Sequence, residues 1–144
     1  MPAMPVPMQQ LMEKMTQMPL QERWMYWQNE FSDCIKCYAC RSACPLCYCT
    51  QCTVEMNKPQ FIPIASHTQG NMEWHIMRAM HLAGRCISCG ECVRACPMEI
   101  PLGLLTAKLN SEVFNQFGQQ AGINADADYA LSSFKTDDKE NFFR

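Results

Sequence analysis

The spacing of apolar residues along the chain predicts a mainly helical protein. Within Leu20–Phe31, four large apolar side chains recur every three or four positions, which places them on one helical face. They are Leu20, Trp24, Trp27 and Phe31. This stripe has two possible explanations, packing against the core or docking onto a larger subunit.

Two further helices are expected downstream. Asn71 is interpreted as the N-cap of the first and Gly84 as its C-terminal stop. Within it, a shared apolar face is expected at Met72, Ile76, Met80 and Ala83, with Ala79 beside them. The next helix should run over Leu102–Phe117, between Pro101 and Gly118. No convincing alternating strand pattern is found.

The two ends of the chain differ in composition from its centre. Residues 1–8 are rich in Met and Pro and are not expected to form a regular helix, whereas Gln9–Gln17 could form a short one. The expected organisation is an extended N-terminal arm over 1–19, a central domain over 20–118 and a polar, acidic C-terminal tail over 119–144. The tail could dock a partner or simply be solvated through its acidic residues Asp126, Asp128, Asp137, Asp138 and Glu140.

Composition changes this picture through its 11 cysteines in 144 residues, which indicate disulfides, metal binding or redox chemistry. Disulfides fit poorly, because the N-terminus does not resemble a secretory leader, and a reducing cytoplasm is therefore expected. No apolar run approaches the roughly 20 residues of a membrane span. The net charge of −2 without a basic block argues against nucleic-acid binding.

An internal repeat explains eight of these cysteines. Cys34, Cys37, Cys40 and Cys44 recur 52 positions later as Cys86, Cys89, Cys92 and Cys96, and a proline follows each set. The pattern C-x2-C-x2-C-x3-C-P is that of ferredoxin motifs, in which three thiolates bind one [4Fe-4S] cluster and the fourth binds the other cluster.

This rule predicts two crossed ligand sets. Cluster one is expected on Cys34, Cys37, Cys40 and Cys96, and cluster two on Cys86, Cys89, Cys92 and Cys44. A structural zinc module is the rival explanation, although zinc sites use paired C-x2-C units in a different phase. The cations Lys36, Arg41, Arg85 and Arg94 lie near these loops and would raise cluster potentials, unless they are ordinary surface charges.

Three cysteines remain, Cys47, Cys49 and Cys52, directly after the first motif. A third iron–sulfur cluster is the preferred interpretation. A zinc site and incidental thiols are the alternatives. A third cluster would need a fourth ligand from His67, His75, His81 or a partner subunit, because imidazole can replace thiolate on iron.

The stretches RWMYWQNEFSDCIKCYACRSACPLCYCTQC and HIMRAMHLAGRCISCGECVRACPMEIPLGLL resemble a known family. They are similar to the α-helical ferredoxin domain of succinate dehydrogenase iron–sulfur subunits and heterodisulfide reductase small subunits. The resemblance is closer to the iron–sulfur domains of formate dehydrogenase β-type subunits. The small iron–sulfur subunit of tungsten class II benzoyl-CoA reductase is also similar. The resemblance implies a mainly α, α-helical ferredoxin-like dicluster domain with N- and C-terminal extensions.

The expected function is therefore electron transfer, without catalysis by this chain itself. The resemblance implies a larger catalytic oxidoreductase subunit as partner, with a tungsten or molybdenum pterin, in anaerobic metabolism. Further electron-transfer subunits would be additional partners. A freely diffusing multi-cluster ferredoxin is one alternative. An enzyme with an open-corner cluster at Cys47, Cys49 and Cys52 is the other.

Overall fold

A computed structural model describes residues 6–132 and residue 136. It contains six α-helices within those residues: α1 Val6–Gln17, α2 Leu20–Ser32, α3 Ala39–Ser42, α4 Thr68–Leu82, α5 Glu91–Arg94 and α6 Leu102–Phe117. Two short 3-10 helices cover Thr53–Glu55 and Ala130–Ser132. Within the described residues the model has no β-strand, only an isolated bridge between Asn57 and Gln60. The expected helical fold class is confirmed.

The core forms where α2 packs against α4. Phe31 and Trp74 are almost fully buried there, and Ile100 and Leu102 close the cluster from the segment that leads into α6. Burial of such large side chains is the main stabilising term, worth about 1.5–3 kcal/mol each. Several cysteines pack on the same cluster, namely Cys34, Cys40, Cys52, Cys92 and Cys96. The core and the cysteine groups therefore form one continuous unit.

The two cysteine motifs meet through the single-turn helices α3 and α5, which pack against each other. α5 also contacts α6, which in turn contacts α1 and α4. None of the described helices is long and apolar enough to cross a membrane.

Two expected helices match closely: α2 begins at Leu20, and α6 has the expected bounds, with Gly118 following it in the left-handed region at φ 66°. The N-terminal expectation was wrong in part, because α1 starts at Val6 rather than Gln9. Pro7 lies in the first turn, where an amide hydrogen has no helical partner and proline is tolerated. Residues 1–5 and the acidic Asp137, Asp138 and Glu140 lie outside the described part of the chain.

The interpretation of α4 needs two corrections. Its N-cap is His67, whose Nδ1 accepts a hydrogen bond from the Gly70 amide at 3.2 Å, and Asn71 lies inside the helix. Its buried face is also only partly the expected one, because Met72, Ala79 and Ala83 are buried but Ile76 and Met80 are exposed. Three polar side chains are buried instead: Asn71, His75 and Arg78, at spacings of four and three residues. The polar stripe formed by Asn71, His75 and Arg78 faces the cysteine loops.

Asn71 illustrates what this stripe does for the fold. Its Nδ2 donates to the carbonyl oxygens of Phe31 at 2.9 Å and Cys34 at 2.8 Å, so α4 is tied to the end of α2 and to the first cysteine loop. Asn71 is fully buried, so water cannot replace these bonds.

The Asn71→Ala variant should therefore lose about 1–3 kcal/mol of unfolding free energy, because each of two carbonyl acceptors loses one of its donors. Thermal unfolding of the anaerobic, cluster-loaded protein, followed by circular dichroism, would measure this. The matched control is Gln69→Ala, since Gln69 is exposed on the same helix and its side chain bonds to the Glu73 side chain one turn later. Equal melting temperatures for Asn71→Ala and Gln69→Ala would contradict the prediction.

Candidate metal centres

The two motif loops repeat in backbone conformation as well as in sequence. Lys36 and Ser88 are both left-handed, at φ 54° and 58°, although neither is glycine. The amide of each donates to the sulfur two positions earlier at 3.4 Å, from Lys36 to Cys34 and from Ser88 to Cys86. A non-glycine residue in this conformation costs about 1 kcal/mol or more and persists only where its surroundings require it. The loops are therefore shaped around their thiols.

A cavity lies inside the first loop. Three cysteines of the first motif line it, Cys34, Cys37 and Cys40, and the fourth is Cys96 from the second motif. Burial raises the pKa of Cys40 to about 11, and the neighbouring Cys34 and Cys96 raise it further, while Arg78 opposes them. The structure thus brings together the four residues of the first crossed set.

The thiols of the second set lie close enough to interact electrostatically. Burial raises the pKa of the Cys92 thiol, and Cys86, Cys44 and Cys89 raise it further against the opposing charge of Arg78. These are the other three members of the second crossed set. Cys86 and Cys44 are half-buried and Cys89 is exposed.

The third group surrounds another cavity. Cys47, Cys49 and Cys52 line it together with three candidates named from the sequence, Arg41, Arg85 and His81, and with Arg78, which was not among them. Burial raises the pKa of Cys47, and its backbone amide donates to the Cys44 carbonyl oxygen at 3.2 Å. The third group therefore adjoins the second set rather than lying apart.

Whether these residues suit iron–sulfur clusters can be tested on the polar groups around them. Trp74 and His75 line the first cavity, and each buries a ring nitrogen, Nε1 and Nε2 respectively, that lacks a partner in the described part of the chain. Arg78 lines the third cavity and buries an unpaired Nε. Unpaired buried donors are costly and rare. Cluster sulfides accept hydrogen bonds, so these donors and the thiol sets fit such groups.

Among residues 6–132 and 136, no three His, Cys, Asp or Glu side chains converge where one metal ion would be held. The cysteines of the first and third groups each line one cavity, and those of the second set interact electrostatically.

Arg78 is the residue that the sequence interpretation missed. Its guanidinium donates to the Cys40 carbonyl oxygen at 2.9 Å and lies 5.9 Å from the centre of the Trp74 ring. Burial alone would lower its pKa, but the surrounding thiols reverse this and raise it. Those thiols belong to all three groups: Cys40, Cys47, Cys92 and Cys44. No local sequence pattern identifies it, because the carbonyl group and the thiols that it contacts belong to other segments of the chain.

The cations named from the sequence have different positions. Lys36 is buried, and its Nζ donates to the Pro63 carbonyl. Arg41 pairs with Glu55 at 2.8 Å, and Arg85 lies 5.1 Å from the centre of the Tyr48 ring. Arg94 is exposed and paired with Glu91, which fits a surface charge. Lys36, Arg41 and Arg85 thus line cysteine cavities, and Arg94 instead donates to the Cys89 carbonyl oxygen of the second motif at 3.0 Å.

Comparison with known proteins agrees with this chemistry. Residues 33–101 match a family model described as a 4Fe-4S dicluster domain. The F420-dependent formate dehydrogenase subunit beta of Methanocaldococcus jannaschii is 35% identical over 111 residues, which cover 74% of this chain and 27% of that protein. The F420-dependent formate dehydrogenase 1 subunit beta of Methanococcus maripaludis is 31% identical over 105 residues, covering 73% and 26%. The chain thus spans about a quarter of these relatives.

Proposed function

Since the chain carries a 4Fe-4S dicluster domain and resembles formate dehydrogenase beta subunits, we propose that it relays single electrons between a larger catalytic oxidoreductase subunit and another redox carrier. The observation that carries the proposal is the first cavity, where cysteines from both motifs converge. Bound [4Fe-4S] clusters would supply one-electron chemistry. The protein's own part is to supply thiolates, hydrogen-bond donors and charge.

The proposed ligands are those of the crossed scheme. Cys34, Cys37, Cys40 and Cys96 hold cluster one, and Cys86, Cys89, Cys92 and Cys44 hold cluster two. Cys47, Cys49 and Cys52 hold a third cluster. Each thiol must lose its proton when it binds iron, so cluster assembly becomes less favourable as the pH falls. Burial raises the pKa of Cys34, Cys40 and Cys47, which makes this loss of the proton harder.

The surface supports a subunit rather than a freely diffusing ferredoxin. On α2, Phe31 and part of Trp27 enter the core, but Leu20 is 76% exposed, Trp24 50% and Met25 57%. The expected aromatic stripe is therefore divided between core packing and an exposed apolar face. Exposed apolar patches of this kind mark contact surfaces. The proposed partner is a catalytic subunit with a tungsten or molybdenum pterin, in a reducing cytoplasm.

This proposal is tested by purifying the native protein without oxygen and counting iron and acid-labile sulfide per chain. About twelve irons are expected, with Mössbauer spectra of cubane clusters. About eight would remove the third cluster and keep the two repeated motifs. A colourless, zinc-loaded protein would overturn the electron-transfer function.

Gel filtration of native extract tests the partner separately. Co-migration with a larger metalloprotein is expected, and the partner's own iron must be subtracted from the count. Migration at the size of the free 16.5 kDa chain would instead support a diffusing ferredoxin.

A further inference from the structure

We propose that His81 is the fourth ligand of the third cluster, an inference that rests on the proposed function of Cys47, Cys49 and Cys52. These three cysteines occupy the segment before the 3-10 helix Thr53–Glu55, which packs against α4. The cavity between the two is lined by all three cysteines from one side and by His81 from α4. Three thiolates and one imidazole thus face the same space.

The other two histidines have different roles in the fold. His67 caps α4 through its Nδ1 and lies at the opposite end of that helix from His81. His75 is buried, stacks on Phe31 with ring centroids 4.4 Å apart, and lines the cavity of the first set. Burial lowers the pKa of His75 to about 3, so it stays neutral. Neither lines the cavity of the third group.

His81 differs from both because its imidazole is free to bind a metal. It lies in the last turn of α4, is exposed, and makes no hydrogen bond or ion pair among the described residues. Arg78, three positions earlier on the same helix, is anchored to the Cys40 carbonyl oxygen. That anchor fixes α4 against the first cysteine motif, which continues directly into residues 47–52, so the imidazole is carried by a helix that is held in place beside the cavity.

One carboxylate nearby is a competing ligand. Glu55 pairs with Arg41 through one oxygen, while its Oε1 is buried without a partner. However, Glu55 lines a neighbouring cavity that contains only Cys52 of the three cysteines. His81 is therefore the side chain that meets the full set, and Glu55→Gln becomes the matched control.

The ligand type has an electronic consequence. A neutral imidazole in place of a thiolate leaves one negative charge fewer on the site, which raises the reduction potential. Arg41, Arg78 and Arg85 line the same cavity and act in the same direction. The third cluster would then be the easiest of the three to reduce.

The experiment uses the full chain, with any co-purifying partner, labelled with 15N-histidine and reduced without oxygen. Pulsed electron paramagnetic resonance should detect a directly bound histidine nitrogen. In His81→Cys that coupling should vanish, the iron content should stay at about twelve per chain, and the third cluster's potential should shift to more negative values. His81→Ala should lose up to about four irons, and Glu55→Gln should retain both the iron and the nitrogen coupling.

The outcomes separate the two proposals. About twelve irons with no nitrogen coupling, or with a coupling that survives in His81→Cys, would overturn His81 as ligand and leave the third cluster in place. Loss of iron in Glu55→Gln but not in His81→Ala would transfer the ligand to Glu55. About eight irons in the unmodified protein would overturn the third cluster, and His81 with it.

Discussion

Combining Cys34→Ala with Cys96→Ala should remove no more iron than either substitution alone. Both residues line the first cavity, so under crossed ligation they serve the same cluster although they lie 62 positions apart in the chain. Each single variant and the double variant should therefore lose about four irons relative to the unmodified protein.

The matched double variant, Cys34→Ala with Cys44→Ala, should lose about eight irons. These two cysteines belong to one motif but serve different clusters, since Cys44 interacts with Cys92 of the second set. Iron and sulfide per chain, with Mössbauer spectra, would give the counts. The opposite result, in which only the Cys34/Cys96 pair loses about eight irons, would mean that each motif holds its own cluster.

Removing the clusters should unfold the chain rather than merely empty it. The helices α3 and α5 have four residues each, far below the length at which a helix is stable alone. The left-handed Lys36, Tyr38 and Ser88 add backbone strain that bound metal would offset. Cys40 is buried in the core cluster itself, so its loss from a cluster would disturb the α2–α4 contact.

Oxidation with ferricyanide in the presence of EDTA would test this. The cluster absorbance and the helical circular dichroism should decline together, with most of the helical signal lost. A parallel sample kept anaerobic without oxidant serves as control. Persistence of the helical signal after the absorbance has disappeared would show that the α2–α4 core folds without metal.

The helices that sequence reasoning predicted well are those whose apolar spacing coincides with their buried face. α6 is the clearest example, because Leu102 and Leu104 are buried and Pro101 and Gly118 flank the helix. The apolar face predicted for α4 was incomplete because the buried side of this helix also carries polar side chains. Asn71 and Arg78 are buried because they bond to the carbonyl oxygens of Cys34 and Cys40, a contact between segments that no local pattern reveals.

Some features of the candidate site could likewise be predicted from the sequence, and others required the fold. The spacing of the repeated cysteines was enough to predict the crossed sets, which the cavity around Cys96 supports. The left-handed conformations of Lys36 and Ser88 could not be predicted, because only glycine signals that backbone region in a sequence. The choice among the three histidines depended on which of them reaches the third cavity, and that required the fold.

The hydrogen bond from the Cys47 amide to the Cys44 carbonyl oxygen has a consequence for the order of the groups in the relay. The internal repeat alone would give two equivalent clusters, so that the two ends of the relay would be alike. The third group breaks that symmetry, since the positions 52 residues after Cys47, Cys49 and Cys52 hold Glu99, Pro101 and Leu104. Because Cys44 serves cluster two in the proposed scheme, the order becomes cluster one, cluster two, third group. The two ends of the relay are then chemically different, with cluster one at one end and the third group at the other. Each end would be recognised by a different redox partner.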